Sequence, residues 1–74
     1  MVEVELNLLL IELAGVKRIK LDVGEPITME SLIRRVGLEE EDVGMMLINK
    51  AWAPFESMVR DGDLVQLYPF LEGG

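Results

Sequence analysis

The group best placed to do chemistry in this 74-residue chain is the α-carboxylate of Gly74, which follows Gly73 at the chain end. Two residues without a Cβ make a thin segment that can lie extended in a narrow channel of another protein. A folded core has no need of such an end. We therefore predict that a partner activates the Gly74 carboxylate and that Gly73 enters the partner's channel with it.

The residues before the diglycine are apolar and include a proline. Pro69, Phe70 and Leu71, followed by Glu72, can lie as an extended segment in a groove of the partner. Alternatively, Phe70 or Leu71 folds back to close a small core. Tyr68 fits either the sheet surface or a contact with the partner.

Composition excludes several classes of function. The chain has no cysteine and no histidine, which removes thiol nucleophiles, the usual zinc ligands and the usual general base. We predict no catalytic residue, no metal site and no cofactor bound by the chain itself. No apolar run approaches the length of a membrane span, and the charged N-terminus is unlike a signal peptide, so we expect a cytoplasmic protein.

The net charge of −7 comes from 14 acidic and 7 basic residues. This charge repels nucleic-acid phosphate and attracts basic protein surfaces, so proteins are the expected partners. Part of it lies in the run Glu39–Asp42. Such a run is either a solvated surface or a patch that steers the chain toward a basic enzyme.

The first part of the chain reads as two strands. Apolar and polar residues alternate from Val2 to Leu8, which is typical of a half-buried strand. A second strand is predicted for Lys17–Val23. The segment Glu12–Gly15 between them is predicted to be a connection with about one turn of helix.

A helix is predicted from Met29 to Val36. Thr28 is a good N-cap and Gly37 a good C-terminal stop. The predicted apolar stripe of this helix consists of Met29, Leu32, Ile33 and Val36.

Further strands are predicted for Met45–Asn49, Trp52–Pro54 and Leu64–Tyr68, with a compact loop at Phe55–Val59. The sequence leaves two interpretations for Trp52. It either packs into the core beside this loop or lies exposed at a sheet edge, where tryptophan is typical of a partner interface.

These elements predict an α+β fold. One helix must bury its stripe against one sheet face, and a right-handed crossover places a late strand parallel to the first. The arrangement that does this in so few residues is a β-grasp, a mixed four- to five-stranded sheet packed on one helix. We predict one domain over residues 1–72, with residues 73–74 as a flexible tail.

The chain resembles the ubiquitin-like sulfur carriers, namely the thiamine-pathway sulfur carrier and the small subunit of molybdopterin synthase. The resemblance rests on Asn49, Pro54, the Asp-Gly-Asp turn opening 61–65, and the terminal 73–74. Glu12–Gly15 is also similar to the loop after the first strand in the molybdopterin branch.

The resemblance implies that an ATP- and Mg²⁺-dependent activating enzyme adenylates Gly74 and that a sulfur donor then forms a thiocarboxylate. The favoured acceptor is a synthase large subunit in molybdopterin (or tungstopterin) synthesis. The second choice is thiazole synthase in thiamine synthesis. Two alternatives stay open. One is a ubiquitin-like modifier joined through Gly74 to lysines, and the other is a β-grasp interaction module with an inert tail.

Overall fold

The computed structural model describes residues 1–70 of the chain. Within that range the strands are β1 (Val2–Leu6), β2 (Arg18–Leu21), β3 (Ile27–Thr28), β4 (Val43–Ile48), β5 (Ala51–Trp52), β6 (Met58–Val59) and β7 (Leu64–Pro69). The helices are α1 (Leu9–Ala14) and α2 (Met29–Arg35), and Glu40–Asp42 form a 3₁₀ turn.

The first and last strands pair in parallel inside the main sheet. In residues 1–70 this sheet has five strands in the order β2-β1-β7-β4-β5, and β3 pairs with β6 in a separate ladder. β1 is parallel to β7, whereas the β1–β2, β4–β7 and β4–β5 pairs are antiparallel. The predicted β-grasp, with a mixed sheet and a central last strand, is confirmed.

One core joins this sheet to α2. Alternate residues of β1 and β7 are fully buried, as the period of two requires. They form one cluster with the buried residues of α2, which are Met29, Leu32 and Ile33. Full burial of each such side chain stabilises the fold by about 1.5–3 kcal/mol before the entropy cost of ordering it.

α2 begins and ends with the predicted signals. The Thr28 Oγ1 accepts a hydrogen bond from the Ser31 backbone N–H at 3.3 Å. At the other end, Gly37 has φ 89°, and the Leu38 N–H donates to the Ile33 carbonyl at 3.0 Å. These two features form a Schellman motif, which satisfies carbonyls that the helix end leaves free.

The connection after β1 is a second helix, longer than the single turn that the sequence pattern predicts. α1 starts at Leu9, because the apolar run that interrupts the alternation belongs to a helix rather than to the strand. Leu10 is buried and anchors α1 on the core. Gly15 ends α1 with φ 80°, and its N–H donates to the Ile11 carbonyl at 2.8 Å.

Several strand boundaries also differ from the prediction. β2 stops at Leu21 instead of Val23. β4 begins at Val43 instead of Met45, because a bulge between these residues keeps Val43 in register with β7. The predicted loop 55–59 contributes β6, which pairs with the residues just before α2.

The end of the sheet where β7 begins is held by polar contacts between turns. Asn49 Oδ1 accepts from the Leu64 N–H at 2.9 Å, and Asn49 Nδ2 donates to Asp63 Oδ1 at 2.9 Å. The Met1 ammonium forms an ion pair with Asp61. We call this region, Met1, Asn49–Lys50 and 61–63, the turn end.

No helix among residues 1–70 has the length and apolar character needed to cross a membrane.

Candidate functional site

β7 delivers the C-terminal segment from the centre of the sheet. It pairs with β1 on one side and β4 on the other. The backbone N–H and the side-chain amide of Asn7 both donate to the Leu67 carbonyl, each at 3.1 Å. Pro69 is buried as the last residue of β7, whereas Phe70 is 61% exposed. The chain therefore leaves the sheet at Phe70, and the interpretation in which Phe70 folds into the core is wrong.

The predicted activated group lies beyond the part of the chain that the structure describes. Leu71, Glu72, Gly73 and Gly74 are outside residues 1–70. Their roles stay predictions, as does the domain boundary at residue 72. Gly74 follows Phe70 by four positions.

A shallow apolar groove lies beside the point where the chain leaves the sheet. Its volume is about 230 Å³, and it is lined by Leu8, Gly44, Met45, Tyr68, Pro69 and Phe70. Leu8 is 59% exposed and Met45 40% exposed. We call this end of the sheet, formed by Leu8, Gly44–Met45 and 68–70, the exit end. An open groove lined in this way fits an apolar side chain of another protein.

The sheet face that points away from the core continues from this groove. Tyr68 pairs with Met45, and two residues further along the strands Gln66 pairs with Leu47. Leu47 in turn pairs with Trp52 on β5. Trp52 is 68% exposed, so the interpretation in which it packs into the core is wrong. Tyr68 and Trp52, both predicted as partner contacts, thus lie on the same open face.

α1 adds further exposed apolar side chains at the exit end. Leu9 and Leu13 are each 55% exposed, and their spacing of four residues places them on one side of the helix. Leu8, just before α1, has φ 53° and ψ −129°. A leucine in this conformation costs about 1–3 kcal/mol of strain, of the kind found at functional sites.

The acidic run Glu39–Asp42 directly precedes β4, next to the exit end. Part of its charge caps its own 3₁₀ turn, because the Asp42 carboxylate accepts from the Glu39 N–H at 2.9 Å. Arg34 donates to Glu40 at 3.2 Å. The pKa of Glu40 is nevertheless raised, first by a hydrogen bond with the Glu30 carboxyl and then by desolvation. The four successive carboxylates of the run concentrate negative charge here.

Within residues 1–70, no group of three or more acidic side chains could hold a metal ion. Every buried side-chain nitrogen or oxygen in that range has a hydrogen-bond partner.

The chain matches one known protein family over almost its whole length. Residues 2–73 match the family model described as Mut7-C ubiquitin. The chain belongs to this family. A search of curated proteins gives no match.

Solved structures share the ubiquitin-like fold over nearly the whole chain. SAMP1 from Haloferax volcanii is 25% identical, with a TM-score of 0.76 over 99% of this chain and 98% of that one. A second structure of this small archaeal modifier protein 1 is 20% identical, with a TM-score of 0.77 over 95% and 97%. A putative molybdopterin converting factor, subunit 1, from Pyrococcus furiosus is 23% identical, with a TM-score of 0.69 over 95% and 97%. The resemblance to ubiquitin-like carriers is thus confirmed, and these neighbours support the fold.

Sequence reasoning missed three residues of this ubiquitin-like domain that line the groove. Leu8 was assigned to the end of a strand, yet it follows the strand with a positive φ of 53°. Met45 was predicted only as the first residue of a strand, with no assignment to a face of the sheet. Gly44 lies just before the predicted strand Met45–Asn49, so the bulge that it forms inside β4 was not expected.

Proposed function

We propose that this ubiquitin-like chain is a carrier whose Gly74 carboxylate is adenylated by an ATP-dependent enzyme and converted to a thiocarboxylate. The observation that carries the proposal is the position of β7. This strand is held on both sides, and the chain leaves it at the exposed Phe70 only four positions before Gly74. A rigid base with a thin end suits delivery of a carboxylate to another protein's active site.

The proposed chemistry has two steps. A carboxylate oxygen of Gly74 attacks the α-phosphorus of ATP, which releases pyrophosphate and leaves an acyl-adenylate. A sulfide-level donor then attacks the acyl carbon and expels AMP, leaving a C-terminal thiocarboxylate. The activating enzyme supplies Mg²⁺ and the positioning that such a transfer needs. The chain itself is the substrate, and none of its side chains acts as a catalyst.

The open sheet face and the groove form the proposed docking surface. Tyr68 and Trp52 supply aromatic contacts, and Leu8 and Met45 form the rim of the groove. The neighbouring run Glu39–Asp42 favours a partner whose surface is basic around the contact. The proposed extended tail, Phe70 to Gly74 with Pro69 at its base, then enters the partner's channel.

We favour molybdopterin or tungstopterin synthesis over thiamine thiazole synthesis as the pathway that receives the sulfur. The name of the Pyrococcus furiosus neighbour supports this order. The thiocarboxylate would then donate sulfur in the active site of a larger synthase subunit, or of a thiazole synthase in the second pathway.

A protein modifier is the second candidate, and the similarity to small archaeal modifier protein 1 favours it. The two functions share the adenylate and differ in the nucleophile that attacks it. A sulfur donor gives the carrier, and a lysine amine gives a conjugate.

The test is an intact-mass measurement on the purified chain. It is incubated with ATP, a sulfide donor and each ATP-dependent activating enzyme encoded in the same genome. We expect a mass change that matches replacement of one oxygen by sulfur, and none in a chain that lacks Gly73-Gly74.

Other results separate the candidates. Covalent attachment to lysine-containing proteins, without sulfur, would support the modifier. An unmodified mass with every activating enzyme would contradict both functions and leave a β-grasp interaction module.

A further inference from the structure

Gly44 lies in the bulge of β4 at the exit end. Val43 pairs with Pro69 and Met45 with Tyr68, so Gly44 is the extra residue between two successive pairs. A bulge bends its strand and often marks the place where pairing with the neighbouring strand ends. The chain beside this bulge is the point where β7 ends.

The backbone at this point is too close for any side chain on residue 44. A Cβ on Gly44 would lie 2.8 Å from the Phe70 Cα and 2.9 Å from both the Phe70 nitrogen and the Pro69 carbonyl oxygen. All three are backbone atoms, so no side-chain rotation relieves the contact. The other glycines of residues 1–70 differ, since each has positive φ and open space around the site of a Cβ.

We propose that Gly44 sets the direction in which the chain leaves the sheet at Phe70, and that it is a positioning residue for the Gly74 carboxylate. The inference rests on the proposed function, since it concerns delivery of that group. Because residue 44 has no Cβ, the Pro69–Phe70 peptide unit at the end of β7 can lie directly against the backbone of β4.

A displacement at Phe70 matters for the proposed delivery of Gly74. Gly74 follows Phe70 by only four positions, so moving Phe70 moves the point from which the carboxylate is delivered. Misplacement by about 1 Å can lower a reaction rate by about 10²-fold. Gly44 also lines the groove, but the rest of the docking surface does not depend on the direction of the chain at Phe70, so kcat should fall much more than KM rises.

The experiment compares Gly44→Ala with the wild-type chain in ATP–pyrophosphate exchange, using the activating enzyme found by the mass test. We expect kcat to fall by at least about ten-fold, with KM for the chain within about two-fold of wild type. In amide NMR spectra, the changed positions should be confined to 43–45 and to the chain from residue 67 onward. Wild type should show a contact between the Gly44 α-protons and the Phe70 amide proton.

Ile48→Ala is the matched control for lost stability. Ile48 lies on the same strand, next to the turn end, and packs against the core. It should lower the melting temperature while kcat and KM stay at the wild-type values.

Pro69→Ala is a second variant that does not depend on space at residue 44. Proline fixes its own φ, so alanine loosens the same point from the other strand. It should lower kcat in the same way but less.

Wild-type kcat in both folded variants would overturn the inference while leaving the proposed function intact. A rise in KM with unchanged kcat would also overturn it, because Gly44 would then act only in docking. If the wild-type chain itself is never adenylated, the proposed function fails and this inference fails with it.

Discussion

At the exit end, Leu8, Met45 and Phe70 are each at least 40% exposed, whereas the turn end is closed by hydrogen bonds through Asn49 and Asp63. Both ends belong to the same five strands of the described chain. They differ in how they use backbone strain. At the turn end, Asn49 tolerates its φ of 51° because its side chain bonds to neighbouring backbone and side chain. At the exit end, Leu8 has φ 53° at the start of α1, and its apolar side chain cannot offset the strain with a hydrogen bond.

This difference indicates that the turn end serves folding stability and the exit end serves binding of a partner. Polar groups that already bond within the chain gain less from a partner than unpaired groups would, so we expect the turn end mainly to stabilise the fold. Exposed apolar groups add little to stability and gain free energy only when a partner covers them. We therefore expect changes at the exit end to alter activation with little effect on folding, and changes at the turn end to do the reverse.

The largest expected effect is that of Gly74→Ala. The added methyl group should not fit a channel that accepts a diglycine, so kcat/KM for adenylation should fall by about 10²-fold. The melting temperature should not change. Exchange of labelled pyrophosphate into ATP measures the first quantity, and thermal unfolding measures the second. Normal adenylation of this variant would contradict a narrow channel.

Asn49→Ala should have the opposite effect. It removes the bonds to the Leu64 N–H and to Asp63 and leaves alanine in a left-handed conformation. The free energy of unfolding should fall by about 2–3 kcal/mol, with adenylation of the folded protein unchanged. Urea unfolding measures the loss.

Asn49→Gly is the matched comparison, because glycine adopts positive φ without strain. If both variants lose the same stability, the hydrogen bonds account for all of it. If Asn49→Ala also loses activation, the two ends are not independent.

Met45→Ala should weaken docking. Loss of an apolar contact in the groove should raise KM for the chain by about ten-fold, with kcat unchanged. Met58→Ala is the matched control, because both methionines are 40% exposed but Met58 lies on the separate β3–β6 ladder. A similar KM for the two variants would place the docking surface elsewhere.

Most of the framework could be predicted from the sequence, because it depends on local signals. The alternation in β1 and the N-cap at Thr28 each specify one element without reference to the rest of the chain. The Asp-Gly-Asp turn likewise predicts where β7 starts. The parallel pairing of β1 with β7 then follows from the single long crossover.

The docking surface could not be predicted in the same way, because it depends on pairing between distant strands. Trp52 is exposed because β5 is a two-residue edge strand opposite Leu47, and no local pattern shows this. Gly44 matters only because β4 meets β7 at Pro69. The roles of the four residues after Phe70 stay predictions from the sequence.

Leu8→Gly should raise stability and lower activation together. Glycine removes the strain of positive φ, so the free energy of unfolding should rise by up to about 1 kcal/mol. The apolar rim of the groove is lost, so KM should rise a few-fold. Leu9→Gly is the matched control, since Leu9 is similarly exposed but helical, and glycine there should lower stability by about 0.5–1 kcal/mol. A loss of stability in Leu8→Gly would show that the conformation of Leu8 carries no strain.

The smallest expected effect is at the ion pair between Met1 and Asp61, because both groups are exposed. A hydrogen bond from the N-terminal ammonium lowers the pKa of Asp61 below its ordinary value of 3.8. A carboxyl group whose pKa is lower in the folded state stabilises the fold above its unfolded pKa, and this contribution disappears as the pH falls through the folded pKa. Asp61→Asn should therefore be slightly less stable than wild type near pH 6, and the two unfolding curves should converge as the pH falls below about 4. If the difference in stability between Asp61→Asn and wild type is the same at every pH, Asp61 acts through turn geometry rather than charge. If adenylation of the variant is unchanged, the ion pair belongs with the stabilising contacts of the turn end.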